Sequence, residues 1–459
     1  MTQSLLHGSY GLNTNADPAS LLVSDDGKAF LLSCDNVFIG DTGRINRCYG
    51  SVLIYSGNVH TVIKQGARLF FISGATLYEL IGARGVQPVA TLSGNKYYHA
   101  TINNGQDYVT FLTDGVSNSI LSRGVLRDWN AGSYFGVDTV RAGSLSAAPP
   151  GTLLSYGLGR MWVANEQQVF MSEPNNPYLY HLGHGRITAE EEITCLAFVK
   201  NGFWLGTTAA IYYVQSDGVK FIRAEKAPYG CFKGTPPKVD AAQLPLQGIY
   251  GEGYIIPTQM GFAFVGQDGI FVNLTEKTFE LRRSDLTEIA MTPYTATIER
   301  NRLVFCGGGY SLMMNLYNLA VTETTLYDMT DCAVHRSILH YGNSGGLYAT
   351  ALADITAEFT FQVNFPEPCR LRSIGITGEF EGQLYLDATV NETNTKTYQL
   401  NPIDGLKQTA LSKVLRRDNG KGQHWKLRFY NGTSAKDFSI DTVKAETTNV
   451  STAKGGYSF

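Results

Sequence analysis

The chain has 459 residues, a net charge of −3 and only 17% charged residues, with 49 Gly, 26 Tyr and 23 Phe. That length can bury a large core, and a near-neutral balance excludes a chain-wide polyanion clamp. Seven scattered cysteines (Cys34, Cys48, Cys195, Cys231, Cys306, Cys332, Cys369) with no C-x-x-C pair argue against a disulfide framework; they read as free buried thiols of a chain folded in a reducing cytoplasm.

Residues 1–15 lack the basic start and apolar core of a signal peptide. Residues 1–50 are polar and turn-rich, and read as an N-terminal arm with short closing strands. From there a hairpin cassette recurs about six times: an apolar strand, a Gly-rich or polar turn, and a second strand ending in aromatics. The first copy is Arg68-Leu69-Phe70-Phe71-Ile72, the turn Ser73-Gly74-Ala75, then Leu77-Tyr78-Glu79-Leu80. With Leu69, Val109, Met161, Phe203, Phe262 and Leu303 as markers, the gaps are 40, 52, 42, 59 and 41 residues. All-strand repeats at this period predict an all-β chain with a six- or seven-bladed β-propeller over 51–350. Ser51–Tyr55 and Gly346–Ala349 are placed to pair and close the ring, which hides two edges. The widest gap holds Tyr229–Leu246 with Pro236, Pro237 and Pro245, which reads as an inserted loop because proline cannot donate to a ladder. Ala189-Glu190-Glu191-Glu192 is the one stretch that reads as a helical turn.

Residues 351–365 read as a linker. Beyond Pro366-Glu367-Pro368 the period-2 pattern resumes in Gln383–Val390, Thr397–Leu400, Trp425–Phe429 and Phe438–Val443, which predicts a C-terminal antiparallel β-sandwich over 366–446 and a mobile tail over 447–459. No apolar run approaches the ~18–20 residues of a membrane span.

Complete catalytic constellations are missing from the sequence. Ser24-Asp25-Asp26-Gly27 and Ser216-Asp217-Gly218 lack the full Ser-x-Asp-x-Gly-x-x-Trp order of a sialidase aspartate box and read as hairpin turns. Glu190-Glu191-Glu192 reads as a solvated run. His181-x-x-His184, with His335 and His340 far downstream, has no Cys or carboxylate to complete a metal set. Gly307-Gly308-Gly309 sits in a hairpin, where it cannot cradle phosphate as a helix start would. The expectation is a chain with no catalytic residues, no metal and no cofactor.

One charge cluster stands apart. Lys407, Lys413, Arg416, Arg417, Lys421, Lys426 and Arg428 share a segment with a single acid, Asp418; its net +6 leaves −9 for the rest of the chain. Basic decoration of edge strands accounts for such a run. The functional alternative is an intersubunit or partner contact, or a basic ring near nucleic acid. Trp425 and Phe429 alternate as core strand residues do.

Several stretches together resemble a family of tailed-bacteriophage virion proteins. Leu12-Asn13 followed by Asp35–Gly50, with Asn36-Val37-Phe38-Ile39 and Gly43-Arg44-Ile45-Asn46-Arg47, is similar to that family's opening N-V-x-I/F-x-x-x-G-R-I-x-R-x-x-G. Gly159–Ala164 with Val169–Pro174 and Pro177–Tyr180 resembles its central blade, as does Pro228-Tyr229-Gly230 before the long loop. Gly422–Phe429 with Asp437–Ile440 resembles its last sheet. The chain departs from the pattern at Arg127-Asp128-Trp129-Asn130, where the family tends to Arg-Pro-Trp-Gly. The resemblance spans roughly residues 11–445. It implies a non-catalytic tail component of the nozzle, tubular-tail-B or packaged-DNA-stabilisation type: a homo-oligomeric ring, sixfold, that contacts a portal adaptor and a tailspike or fibre while double-stranded DNA passes. The implied location is the virion tail, after folding in the host cytoplasm. Two other classes fit the propeller itself: a glycan-binding or glycan-hydrolysing propeller of a tail or bacterial surface, and a scaffold for protein partners.

Overall fold

The computed structural model describes residues 2–17, 20–21, 26–129, 145–216, 220–281, 293–400, 408–415, 420–432 and 436–449. It is an all-β chain whose centre is a seven-bladed propeller. Blade I runs from Val59–Gln65 to Gly85–Thr91, blade II from Tyr98–Asn103 to Val125–Asp128, and blade III from Leu153–Gly157 to Asn176–Tyr180 with Arg186–Thr188 added. Blade IV runs from Ile193–Val199 to Phe221–Ala227, blade V from Lys238–Asp240 to Phe271–Asn273, and blade VI from Tyr294–Glu299 to Val321–Glu323. Blade VII combines Asp331–His335, Ile338–Asn343 and Gly346–Ala351 with Gly50–Ser56 from the start of the chain.

The six sequence markers all lie in blade strands flanked by a partner on each side, such as Arg68–Ser73, Gly202–Thr207 and Arg302–Gly307. These strands are buried on both faces, because neighbouring blades cover each sheet above and below. They therefore read as unbroken apolar runs rather than alternating ones. The equivalent strand of blade VII is Ile338–Asn343, which keeps a buried Leu339 but continues through His340, Gly342 and Asn343. Its polarity hid the seventh copy.

Ring closure follows the expected pairing. Leu347 lies opposite Tyr55, Tyr348 opposite Leu53 and Ala349 opposite Val52, with a bulge after Leu347. The outermost strand of the last blade thus comes from the front of the chain, and unfolding either end exposes an edge.

The proline-rich segment expected to be an inserted loop is instead built into blade V. Lys238–Asp240 is a strand of that sheet, and Pro237 accepts from the Ile255 N–H at 3.1 Å. The three prolines lie outside that strand, two before it and one after the short turn that follows, so none interrupts the ladder. Ala189–Glu192 is an irregular connection between blades III and IV, not a helical turn.

The second unit is antiparallel and is organised on one long strand, Glu358–Phe380. Residues 358–364 pair with Gly422–Tyr430, while Ser33–Asp35 adds beside Glu358–Thr360. Residues 369–380 pair instead with Phe438–Asn449 on one side, and 373–380 with Gln408–Val414 on the other. The exchange of neighbours falls at Pro366-Glu367-Pro368, where the ladder with Gly422–Tyr430 breaks register. This corrects the expected boundaries. Residues 358–365 are strand rather than linker, since Phe359, Phe361 and Val363 alternate inward. The last strand likewise continues to Asn449.

The N-terminal arm also belongs to this unit. Thr2–Leu6 and Ile45–Arg47 both pair with Phe438–Asn449, and Val37–Ile39 pairs with Ile45–Arg47. One continuous apolar core joins Leu5, Val37 and Ile45 to Phe359, Trp425 and Phe438, and onward to Phe262 and Phe305 of blades V and VI. Among the described residues no helix is long and apolar enough to cross a membrane.

Candidate functional site

The innermost strands of the propeller pair on one side only and present their other edge to the axis. Between them lies a cavity of about 480 Å³. Blade I contributes Lys64. Blade II and its lead-in contribute Lys96, Tyr98 and His99. Blade VII contributes Asp331, and the segment before blade V contributes Lys233.

Asp331 is fixed at the start of its strand. Its carboxylate accepts from the backbone N–H of Val62 at 2.8 Å and of Cys332 at 2.9 Å, and its Oδ2 lies 3.6 Å from His99 Nε2. Burial alone would raise its pKa. The His99 contact, the Lys96 charge and the Val62 N–H outweigh that, and the group lies below its ordinary value. Asp331 and burial together push the neighbouring Cys332 thiol up to about 12, burial being the larger cause, so it is no nucleophile.

Across the cavity Lys233 Nζ donates to Glu192 Oε1 at 2.7 Å, with the two side chains 13% and 22% exposed. Tyr98 is half-buried beside them; burial raises its pKa, with a smaller contribution from Glu192. Glu192 is the functional residue that sequence reasoning missed. It ends an acidic run that looks solvated, and Glu190 is indeed 79% exposed, but Glu192 turns inward. Only its position directly before the Ile193–Val199 strand distinguishes it.

This arrangement binds and orients better than it transfers protons. Acid–base hydrolysis of a glycoside needs one carboxyl held protonated with a raised pKa. Asp331 is held ionised, and Glu192 is ion-paired to a lysine. All four tryptophans, Trp129, Trp162, Trp204 and Trp425, are fully buried, and each indole N–H donates to a backbone carbonyl. None can serve as a sugar-stacking platform on the surface. Trp425 and Phe429 lie in the core, as their alternation predicted.

The other sequence candidates scatter. The rings of His181 and His184 are 4.8 Å apart in a loop of blade III, and those of His335 and His340 are 5.9 Å apart in blade VII. Among the described residues no three His, Cys, Asp or Glu side chains gather as a metal set would. All seven cysteines are free thiols. Gly307–Gly309 spans the turn of the Arg302–Gly307 and Tyr310–Asn315 hairpin. Asp25 and Asp217 lie outside the described residues.

The basic segment is divided by the fold. Lys407, Arg416 and Arg417 lie outside the described residues. Lys413 sits on Gln408–Val414, an edge strand with one partner, beside a Val414 that is 78% exposed. Lys421 precedes the Gly422–Tyr430 strand and is exposed. On that strand Lys426 is exposed and Arg428 half-buried; the strand pairs with residues 358–364 of the long strand, whereas Gln408–Val414 pairs with residues 373–380. Arg428 is held within its own sheet: it bonds Glu358, lies 3.3 Å from Asp387 and stacks 4.8 Å from the Tyr430 ring centre. Of the four described cations, Lys413 lies on a different strand from Lys426 and Arg428, and Arg428 is engaged within its own sheet.

No protein-family model matches the sequence, and no curated protein matches it. Among solved structures, the extracellular domain of a one-component system from B. thetaiotaomicron is similar, with a TM-score of 0.43 and 9% identity over 90% of this chain and 65% of that one. PorZ, a surface component of the type-IX secretion system of Porphyromonas gingivalis, gives a TM-score of 0.38 and 9% identity over 77% of this chain and 48% of that one. An exo-β-1,3-galactanase from Phanerochaete chrysosporium gives 0.30 and 8% over 86% of this chain and all of that one. The chain spans less than two thirds of the length of the first two. The chain is an all-β, seven-bladed propeller carrying a second antiparallel unit assembled from both of its ends.

Proposed function

We propose that this chain is a non-catalytic ring subunit of a bacteriophage tail, a nozzle or head-to-tail conduit built from about six copies, as the sequence resemblance implies. The observation that supports this reading most is where the resembling segments meet. The opening motif and the closing motif lie almost 400 positions apart, yet Ile45 pairs with Ile440, Arg44 Nε lies 2.8 Å from Asp441, and Arg47 Nε lies 3.2 Å from Asp437. The opening and closing segments of the resemblance are thus parts of one unit.

The physics agrees with the role. A conduit must let DNA slide, and each phosphate neutralised by Lys or Arg adds a strongly salt-dependent contribution to affinity. A chain of net −3 with no chain-wide basic stripe in its sequence meets that demand. A closed ring needs two different faces on each subunit, and the propeller and the second unit supply them. Portal adaptor and tailspike or fibre proteins are the neighbours on this reading.

The test is an amber mutation of the gene in a phage that carries it, followed by electron microscopy of the particles and mass spectrometry of wild-type virions. The expected result is the chain in wild-type tails, and mutant particles with full heads that lack the distal tail and are not infectious. Normal infectious tails from the mutant would overturn the proposal. So would hydrolysis of a surface polysaccharide by the purified chain that is lost on Asp331→Asn.

A further inference from the structure

We propose that the axial cavity binds a small oxyanion carrying two or more negative charges, with Lys64, Lys96, Lys233 and His99 as its donors. This site does not depend on the tail reading, and nothing in the repeat pattern foreshadows it.

The lining is unusual for this protein. The chain as a whole holds slightly more acids than Lys and Arg, 40 against 37. Four lysines line the cavity, the fourth being Lys238, against one lining acid, Asp331, with Glu192 and Glu252 paired to Lys233 and Lys238 beside it. That acid is already occupied by Val62, Cys332 and His99. The lysines are only partly engaged. An ammonium has three N–H donors. Lys96 donates to the Thr330 carbonyl at 2.8 Å, and Lys233 to Glu192 at 2.7 Å. Each keeps donor capacity, and Lys233 does so at 13% exposure, where water is scarce. The Lys64 ammonium has no hydrogen bond or ion pair among the described residues. Lys238 is held by Glu252 at 2.7 Å and is 53% exposed, which places it at the rim.

The backbone adds to the same field. Val59–Gln65, Tyr98–Asn103, Tyr294–Glu299 and Asp331–His335 each pair with one strand, so their inner edges present N–H and C=O groups to the axis. Thr297 and Tyr98 supply hydroxyl groups to the lining. A volume of about 480 Å³ lies within the range of small-molecule sites. Clustered anionic oxygens, from a phosphate ester or a polycarboxylate, are the chemistry that satisfies several ammonium donors at once; charge-assisted bonds of this kind are the strong ones.

The experiment is thermal unfolding and calorimetric titration of the full chain with inorganic phosphate and, separately, with citrate, against sodium chloride at matched ionic strength. The expected result is a saturable rise in Tm with at least one of the two anions and none with chloride. Response to phosphate alone assigns a phosphate ligand, and response to citrate alone a polycarboxylate. In Lys64→Gln/Lys96→Gln the affinity should fall about tenfold or more, as the loss of a charge-assisted bond implies. Lys96→Arg should retain binding. If the double variant fails to fold, Lys64→Gln alone carries the test, because that ammonium holds no structural bond. Stabilisation that does not saturate, or that is the same in wild type and in Lys64→Gln, overturns the proposal; so does the absence of any response to either anion.

Discussion

Arg47 and Asp437 lie 390 positions apart in the chain, yet Arg47 Nε donates to Asp437 Oδ1 at 3.2 Å. The Arg47 side chain is 4% exposed, and its Nη1 also reaches the Ala353 carbonyl at 2.6 Å. One guanidinium thus ties the N-terminal arm, the end of the propeller and the last strand together. Arg47→Ala should cost about 1–2 kcal/mol, because it leaves the half-buried Ala353 carbonyl without its donor, while Asp437, 52% exposed, stays hydrated. Arg44→Ala, at a site 31% exposed, should cost under about 1 kcal/mol. Urea unfolding of both variants checks the difference, and equal effects would contradict it.

The closing pair of blade VII is sensitive to a single methyl. A Cβ on Gly346 would lie 2.0 Å from the Tyr55 carbonyl oxygen, which is backbone and cannot step aside. Gly346→Ala should open the seam between Gly346–Ala351 and Gly50–Ser56 and destabilise the protein by roughly 2 kcal/mol or more. The freed edge should also promote association. Light scattering during heating, compared with wild type, reads both effects.

Charge reversal should separate assembly from folding. Lys413 and Lys421 make no ion pair among the described residues, so Lys413→Glu with Lys421→Glu should leave the Tm within a few degrees of wild type. On the tail reading it should slow assembly, since complementary charge chiefly guides docking. Arg428→Glu should behave differently. It places a third carboxylate between Glu358 and Asp387 and should destabilise the sheet itself. Circular dichroism melts with an assembly assay distinguish the two. Normal assembly of the lysine pair would favour edge protection as its role.

Acid sensitivity should begin at the histidines of blade VII. Burial lowers the pKa of His340 below its ordinary value of 6.5, and burial with Arg336 and Lys64 does the same for His335. The unfolded chain then binds protons that the folded one refuses. Stability should therefore fall as pH drops below about 6.5, with the loss continuing down to the folded pKa values. His340→Gln should flatten this slope. Asp331 acts later: its lowered pKa preserves stability until the pH falls below the usual carboxylate range. Tm measured from pH 7.5 down to about pH 2.5 in wild type and variant checks the sequence of events.

The sequence by itself determined the all-β class, the blade period and the partners that close the ring. Those features are local. A strand covered on both faces must be apolar at every position, and Leu69-Phe70-Phe71-Ile72 announces that without reference to anything distant. The free thiols, the hairpin at Gly307–Gly309 and the inward Trp425 were legible for the same reason. Tertiary structure alone decided the rest. Ser33–Asp35, Val37–Ile39 and Ile45–Arg47 are three residues each, too short to show a period; Ser33–Asp35 and Ile45–Arg47 gain their place in the second unit by pairing with strands more than 300 residues away, and Val37–Ile39 joins it through Ile45–Arg47. The seven basic residues read as one cluster along the chain, but the four described ones fall on two strands and the position just before one of them, and those strands pair with different parts of Glu358–Phe380. The axial cavity takes Lys64, His99, Lys233 and Asp331 from separate blades. A ring brings its innermost strands together at one axis, and residues that meet there leave no pattern in the sequence that joins them.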